Sequence, residues 1–173
     1  MQIKMKKFLL VLIVVSFVVS GCTSSIERKA SKEMKRKMTE VAKIPESVKI
    51  TNVKTAYVDD SLCILHYDFA GKNSYGAVVK NRYEFVYLIH DDYGVGSVLA
   101  YYHDLEDDKS VIELAKEDFK ENELRFSEEL KDKKKREENK KMCLKQEAYL
   151  QCWLYGYEVG EKDNDSEYDI SNW

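Results

Sequence analysis

The stretch Leu62-Cys63-Ile64-Leu65-His66-Tyr67-Asp68-Phe69 decides the fold, because its side chains alternate between two faces. A period of two residues is typical of a β-strand. The turn-forming residues Asp59-Asp60-Ser61 come directly before it. The stretch therefore predicts a strand with Cys63, Leu65, Tyr67 and Phe69 on one face, and Leu62, Ile64, His66 and Asp68 on the other.

Three further strands are predicted around this one. Ser47 to Val53 is a short strand, and the alternation returns in a third strand at Tyr83, Phe85, Tyr87 and Ile89. The segment from Asp91 to Gly96 is typical of a hairpin connection, and it leads into a fourth strand from Val95 to Tyr102. We expect a meander of four antiparallel strands with aromatic side chains on one face.

The segment after the strands has a helical pattern. Asp107 or Asp108 is the expected N-cap, and an apolar stripe follows at Val111, Ala115, Phe119, Phe126 and Leu130. Residues 131–141 contain no apolar side chain, so they are either a solvated helical extension or a mobile connector. Met142 to Tyr157 is either a second helix that ends before Gly156 or a late strand.

The expected fold class is therefore α+β, with an antiparallel sheet of about four strands packed against a long amphipathic helix. Pro45 marks the start of the domain, because the residue before a proline is forced out of the helical region. We expect this domain to span residues 44–160. Residues 161–173 carry five acidic side chains and one lysine, which predicts a disordered acidic tail.

The N-terminus has the order of features found in secretory signal peptides. A basic start, Met1 to Lys7, precedes an apolar run from Phe8 to Val19 that is interrupted only by Ser16. This run is too short to cross a bilayer, which needs about 20 residues as a helix. It ends in Val19-Ser20-Gly21-Cys22, which resembles the lipobox of bacterial lipoproteins. The other interpretations are an uncleaved membrane anchor and a buried strand.

The lipobox resemblance implies a signal peptide over residues 1–21, cleavage after Gly21 and a diacylglycerol on the thiol of Cys22. Residues 22–43 would then be the lipid anchor and a basic helical tether. Ile26, Ala30, Met34 and Met38 recur every four residues, among seven basic and three acidic side chains. This segment either rests on anionic headgroups or packs its methionine stripe on the domain.

Charge and cysteine content narrow the possible partners. Without residues 1–21 the chain carries 25 basic and 31 acidic residues, which argues against nucleic acid as a general partner. After lipidation of Cys22 three cysteines remain: Cys63, Cys143 and Cys152. If residues 143–152 form one helix, Cys143 and Cys152 are too far apart to pair. A bridge from Cys63 to either remains open, and so do three buried free thiols.

A second resemblance covers residues 44–89. Ile44-Pro45-Glu46-Ser47-Val48-Lys49-Ile50, then Tyr67, then Lys72-Asn73-Ser74-Tyr75-Gly76-Ala77 and the strand from Tyr83 to Tyr87 are similar to a family of small secreted or lipidated proteins of bacteria and their phages. The family often has an acidic residue where this chain has Ala70. It has no established activity. The candidate binding residues within the resemblance are Lys72, Asn73, Ser74, Tyr75 and Gly76.

Motifs for catalysis and for metal binding are absent from the sequence. Each histidine (His66, His90 and His103) has an aspartate close by in sequence, but no paired metal-ligand spacing occurs and His90 and His103 are expected at opposite ends of paired strands. There is also no nucleophile elbow and no phosphate-binding glycine loop. We therefore predict no catalytic residue, no metal and no cofactor.

These observations predict a lipoprotein on the extracytoplasmic face of the cell membrane. The expected function is non-catalytic binding or interaction in the cell envelope, of which an exclusion or immunity role is one version. The expected partners are the membrane, through lipidated Cys22, and an envelope protein, with no nucleic acid. The alternative is an envelope hydrolase with a site near His66, Asp68 and Asn73.

Overall fold

The computed structural model describes residues 24–92 and 95–161, and within them it shows an α+β fold. Five antiparallel strands form one sheet in the order β1-β2-β3-β4-β5. The elements in chain order are α1 (Ser25–Val41), β1 (Lys49–Val58), β2 (Leu62–Lys72), β3 (Val78–Asp92), β4 (Val95–Asp104), α2 (Val111–Arg125), α3 (Lys133–Tyr155) and β5 (Tyr157–Glu161). Short 3₁₀ helices lie at Pro45–Ser47 and Glu129–Lys131.

The α+β class is confirmed, while the expected number of strands is one too few in the described part of the chain. For the segment from Met142 to Tyr157 the sequence left helix and strand as alternatives. The structure shows both, because α3 ends at Tyr155 and β5 begins at Tyr157. Gly156 makes this sharp change possible. A Cβ there would lie 2.3 Å from the carbonyl oxygen of Cys152 and 2.6 Å from that of Ala100. The predicted tail boundary is also wrong by one residue, since Glu161 belongs to β5, and residues 162–173 lie outside the described part.

Helices cover both faces of the sheet, because each central strand has apolar side chains on both of its faces. Leu62 and Ile64 of β2 lie with Val86 and Leu88 of β3 under α2 and α3. The opposite face packs against α1 and contains Cys63, Leu65, Tyr67, Phe85 and Tyr87. The alternation predicted for the strand beginning at Leu62 is confirmed, and the molecule has three layers.

Helix α1 is part of this packing. Ser24 caps it by accepting a hydrogen bond from the backbone N–H of Glu27. Ile26, Ala30, Met34 and Met38 are buried on the sheet, and the hydroxyl of Tyr67 donates to the Met38 sulfur at 2.9 Å. The methionine stripe therefore packs on the domain, and contact with headgroups, the other possibility for this segment, concerns the exposed side of the helix. The folded unit therefore includes α1 as well as the sheet.

The helical layer contains two helices, α2 and α3, where the sequence predicted a long amphipathic helix and left a second helix open. Ser110, and not Asp107 or Asp108, caps α2, and its side chain and that of Glu113 form a capping box. Asp132 then caps α3 by accepting from the N–H of Lys135, so a second helix begins inside the polar run 131–141. No helix in the described residues is long and apolar enough to cross a membrane.

The three described cysteines are free and buried. Cys143 and Cys152 both lie on α3, as the argument against their pairing assumed. Burial raises the pKa of the Cys63 thiol to about 12 and that of Cys152 to about 12. These thiols stay protonated at neutral pH and act as small apolar side chains.

Replacing Met34 with alanine tests whether α1 belongs to the core. Met34 is fully buried, and truncating a buried methionine costs about 2–5 kcal/mol of unfolding free energy. We expect a loss of that size in urea denaturation. The exposed neighbour Lys35→Ala is the control. A loss below about 0.5 kcal/mol for Met34→Ala, typical of surface positions, would show that α1 does not pack on the sheet.

Candidate functional site

Three ionisable side chains lie in a row across the central strands. His66 of β2 is the register partner of Glu84 of β3, and Glu84 is the register partner of His103 of β4. Glu84, Val86 and Leu88 are alternate residues of β3, so the Glu84 side chain is on the same face as those of Val86 and Leu88, which pack against α2 and α3. The row therefore lies on the side of the sheet that the two C-terminal helices cover.

Glu84 is the centre of this row and is fully buried. One carboxylate oxygen, Oε1, accepts a 2.7 Å hydrogen bond from the backbone N–H of Val111, the first residue of α2. The other, Oε2, lies 2.8 Å from Nε2 of His66. A carboxylate at a helix N-terminus is favoured by the unpaired N–H groups and the helix dipole. Glu84 thus connects the sheet, the start of α2 and the imidazole of His66.

The bond to Glu84 defines the state of the His66 ring. A carboxylate accepts hydrogen bonds, so the bond to Glu84 is one that an Nε2–H of His66 donates, and in the neutral ring of that tautomer Nδ1 is the acceptor. The His66 side chain is about one-third exposed, at 32%. An imidazole that is held by a buried carboxylate and reached by solvent can bind a hydrogen-bond donor or take up a proton.

His103 completes the row without a close bond. It is 8% exposed, and its Nε2 lies 3.9 Å from Oε1 of Glu84, which is beyond hydrogen-bond distance. Neither ring nitrogen has a hydrogen-bond partner in the described part of the chain. Its ring stacks on Tyr101 with centroids 5.0 Å apart. No group of three or more His, Cys, Asp and Glu side chains among the described residues is arranged to hold a metal ion.

A cavity of about 750 Å³ opens beside His66. Its walls come from β1, β2, β3 and the segment that leads into α2, and they carry both signs of charge. The wall residues are Thr51, His66, Asp68, Phe69, Ala70, Lys80, Asn81, Arg82, Leu105, Glu106, Ser110 and Glu113.

Asp68 is held in this wall by two neighbours. Asn52 donates to Oδ2 at 2.6 Å, and Arg82 donates to Oδ1 at 3.2 Å. The Asn52 amide, and then the Arg82 guanidinium, lower the pKa of Asp68. Asn52 has a φ of 52°, a conformation that asparagine tolerates better than most residues. It lies where the register of β1 shifts between Thr51 and Lys54, so an irregularity in the edge strand supplies the amide.

The candidate binding loop, Lys72 to Gly76, forms the tight connection between β2 and β3. Oδ1 of Asn73 accepts hydrogen bonds from the N–H groups of Tyr75 and Ala77, both at 3.0 Å, and Gly76 has a φ of 79°. Asn73 is therefore occupied in holding the turn. Lys72, Ser74 and Tyr75 are exposed, and Tyr75 is 93% exposed.

The trio suggested for a hydrolase is only partly brought together. His66 and Asp68 line the same cavity, but the hydrogen-bond partner of His66 is Glu84 and not Asp68. Asn73 lines a separate cavity of about 210 Å³. His90 and His103 lie at opposite ends of the β3–β4 pair, as expected, since His90 is opposite Ser97 and His103 is opposite Glu84.

Glu84 was not among the residues predicted from the sequence, although the pattern contained a signal for it. Glu84 stands directly between Tyr83 and Phe85, at the even positions shared with Val86 and Leu88. A carboxylate next to the apolar half of a central strand is buried only with partners. Its partners lie 18 and 27 residues away, so the local sequence does not identify them.

Comparison of this chain with protein-family models, with curated proteins and with solved structures gave no match.

Replacing Glu84 with alanine tests its central position. The change leaves the Val111 N–H and the His66 ring without their acceptor, and we expect a loss of about 2–4 kcal/mol in unfolding free energy. Glu106, exposed on the wall of the same cavity, provides the matched control. Glu106→Ala should change stability by less than about 0.5 kcal/mol. Equal stability of the two variants would contradict this account of Glu84.

Proposed function

We propose that this protein is a lipid-anchored, extracytoplasmic binding module of the cell envelope. The binding part of the proposal is carried by the cavity of about 750 Å³ beside His66. The anchoring part is supported by the order of the N-terminal features, which ends at Cys22.

The anchor and the fold are close together in the chain. Only Thr23 separates Cys22 from Ser24, the N-cap of α1. Two residue steps span at most about 7 Å. A diacylglycerol on Cys22 would therefore hold the domain directly at the membrane surface, without a long linker, and two acyl chains are enough for stable anchoring.

The chemistry of the cavity favours a polar ligand with both signs of charge. Lys80 and Arg82 lie in the same walls as Asp68, Glu106 and Glu113. A polypeptide segment of an envelope protein meets this description, because its side chains and backbone supply charges, donors and acceptors. The exposed Tyr75 lies at the tip of the β2–β3 hairpin, at the same end of the sheet as Lys80. Tyrosine is enriched in protein interfaces, so the hairpin extends the proposed binding surface.

The anchor is tested by replacing Cys22 with alanine. We expect intact mass spectrometry of the wild-type protein to show a diacylated N-terminal cysteine at position 22. The Cys22→Ala variant should lack the lipid, because it has no thiol to carry the diacylglycerol. An unmodified Cys22 in wild-type protein from its own membranes would refute the anchoring part.

The binding surface is tested by cross-linking in native membranes and identification of the captured envelope proteins. We expect one such protein to be captured by the wild type and lost in Tyr75→Ala combined with Arg82→Glu. Asn73 is left unchanged because it holds the turn. Lys120→Ala, on the exposed side of α2, is the control and should keep the capture. Capture that survives the double substitution would place the interface elsewhere.

One observation favours hydrolysis as a second candidate function. The 2.8 Å bond between Nε2 of His66 and the buried Glu84 is the arrangement in which a carboxylate orients an imidazole for proton transfer. In that case Nδ1 of His66 would take the proton from an attacking water held in the cavity. His66→Gln should then abolish turnover of ester, amide or glycoside substrates while the protein stays folded. Turnover that is unchanged in His66→Gln would exclude this role.

A further inference from the structure

The outer side of α1 is a continuous basic surface. With 3.6 residues per turn, the exposed side chains Arg28, Lys29, Lys32, Lys35 and Arg36 fall on the side opposite the buried methionine stripe. We call these five residues the basic face. The packing of α1 on the sheet is what turns these cations outward together.

Of the five cations of this face, the acidic residues of α1 pair only with Arg36. Glu33 accepts from Arg36 at 2.6 Å and Glu40 pairs with it at 2.8 Å. Glu27 is directed to Thr55 of the sheet, where its carboxylate accepts from the Thr55 hydroxyl. Within the described part of the chain, no ion pair involves Arg28, Lys29, Lys32 or Lys35.

The rest of the molecule has the opposite charge. Residues 23–43 carry seven basic and three acidic side chains, whereas residues 44–173 carry 18 basic and 28 acidic side chains. Residues 131–141 also carry seven basic and three acidic side chains, so charge alone leaves two basic segments for an anionic surface. Of the two, α1 is the one whose N-cap, Ser24, lies two residues after Cys22, so the proposed anchor selects its side.

We propose that the basic face lies against the anionic lipid headgroups of the membrane. The inference rests on the proposed anchor, because a lipid on Cys22 would bring the first turn of α1 to the bilayer surface. Each cation near an anionic surface strengthens membrane association by roughly fivefold. Lysine and arginine side chains are long enough to reach phosphates while their stems stay on the helix.

This docking determines where the candidate site points. Helix α1 covers the face of the sheet that contains Leu65 and Phe85, while His66 and Glu84 lie on the other face, with α2 and α3. With the basic face on the membrane, the His66 side of the sheet faces away from it. The cavity is then open to an envelope partner and not to lipid.

The test uses lipidated protein reconstituted into vesicles of phosphatidylcholine alone or with anionic phosphatidylglycerol. A single reporter thiol is introduced as Lys32→Cys on the basic face or as Lys120→Cys on the exposed side of α2. Cys63, Cys143 and Cys152 are buried, so a water-soluble maleimide reports the introduced thiol. We expect the anionic vesicles to slow labelling of Lys32→Cys by about tenfold or more at physiological salt, and to leave Lys120→Cys unchanged.

Charge reversal provides the matched variant. Adding Lys29→Glu and Lys35→Glu to Lys32→Cys should restore rapid labelling in the anionic vesicles. Equal labelling of Lys32→Cys in both kinds of vesicle would overturn the inference, and so would protection in the neutral vesicles alone. Mass spectrometry of Cys22 in the same sample reports the anchor separately. If Cys22 carries the lipid but Lys32→Cys is labelled equally fast in both kinds of vesicle, the proposed anchor stands and the docking is rejected. If Lys32→Cys is protected by anionic vesicles but Cys22 carries no lipid, the docking stands and the proposed anchor is rejected.

Discussion

The buried carboxylate of Glu84 is the constraint on which the site and the helical layer both depend. A charge without partners in this apolar layer would be too costly to retain. Its two oxygens are therefore satisfied by the first N–H of α2 and by the ring of His66. The first contact sets where α2 begins on the sheet. The second presents His66 to the cavity with a defined proton position.

The three-layer arrangement gives the two faces of the sheet different surroundings. The core of the face under α1 is formed by aliphatic, cysteine and aromatic side chains, and its helix turns a cationic surface outward. The face under α2 and α3 contains the ionisable row and the charged cavity walls. In the proposed function these become a membrane side and a partner side. One sheet with a helical layer on each face can serve both, because its central strands bury side chains on both faces.

Prediction from the sequence was most successful where periodicity alone decides. The alternation from Leu62 to Phe69 and from Tyr83 to Ile89 identifies strands, and strict parity assigns each side chain to a face. It was less successful for β5, since five residues after a glycine carry too little pattern to separate from the preceding helix. The long amphipathic helix is not confirmed as one element, because Asp132 supplies an N-cap inside a run without apolar residues and a second helix begins there. Of the three residues named for a hydrolase site, His66 and Asp68 share a cavity while Asn73 holds its own turn.

What the sequence by itself determined was the set of local choices: the strand faces, the methionine stripe and the charge imbalance between residues 23–43 and the rest. Each of these follows from side chains close together in the chain. Only the tertiary structure decided that His66, Glu84 and His103 meet in one row, because the register between strands joins residues 18 and 19 positions apart. It also decided that Glu84 reaches the start of α2. Long-range contacts of this kind depend on how the layers pack, which no local pattern specifies.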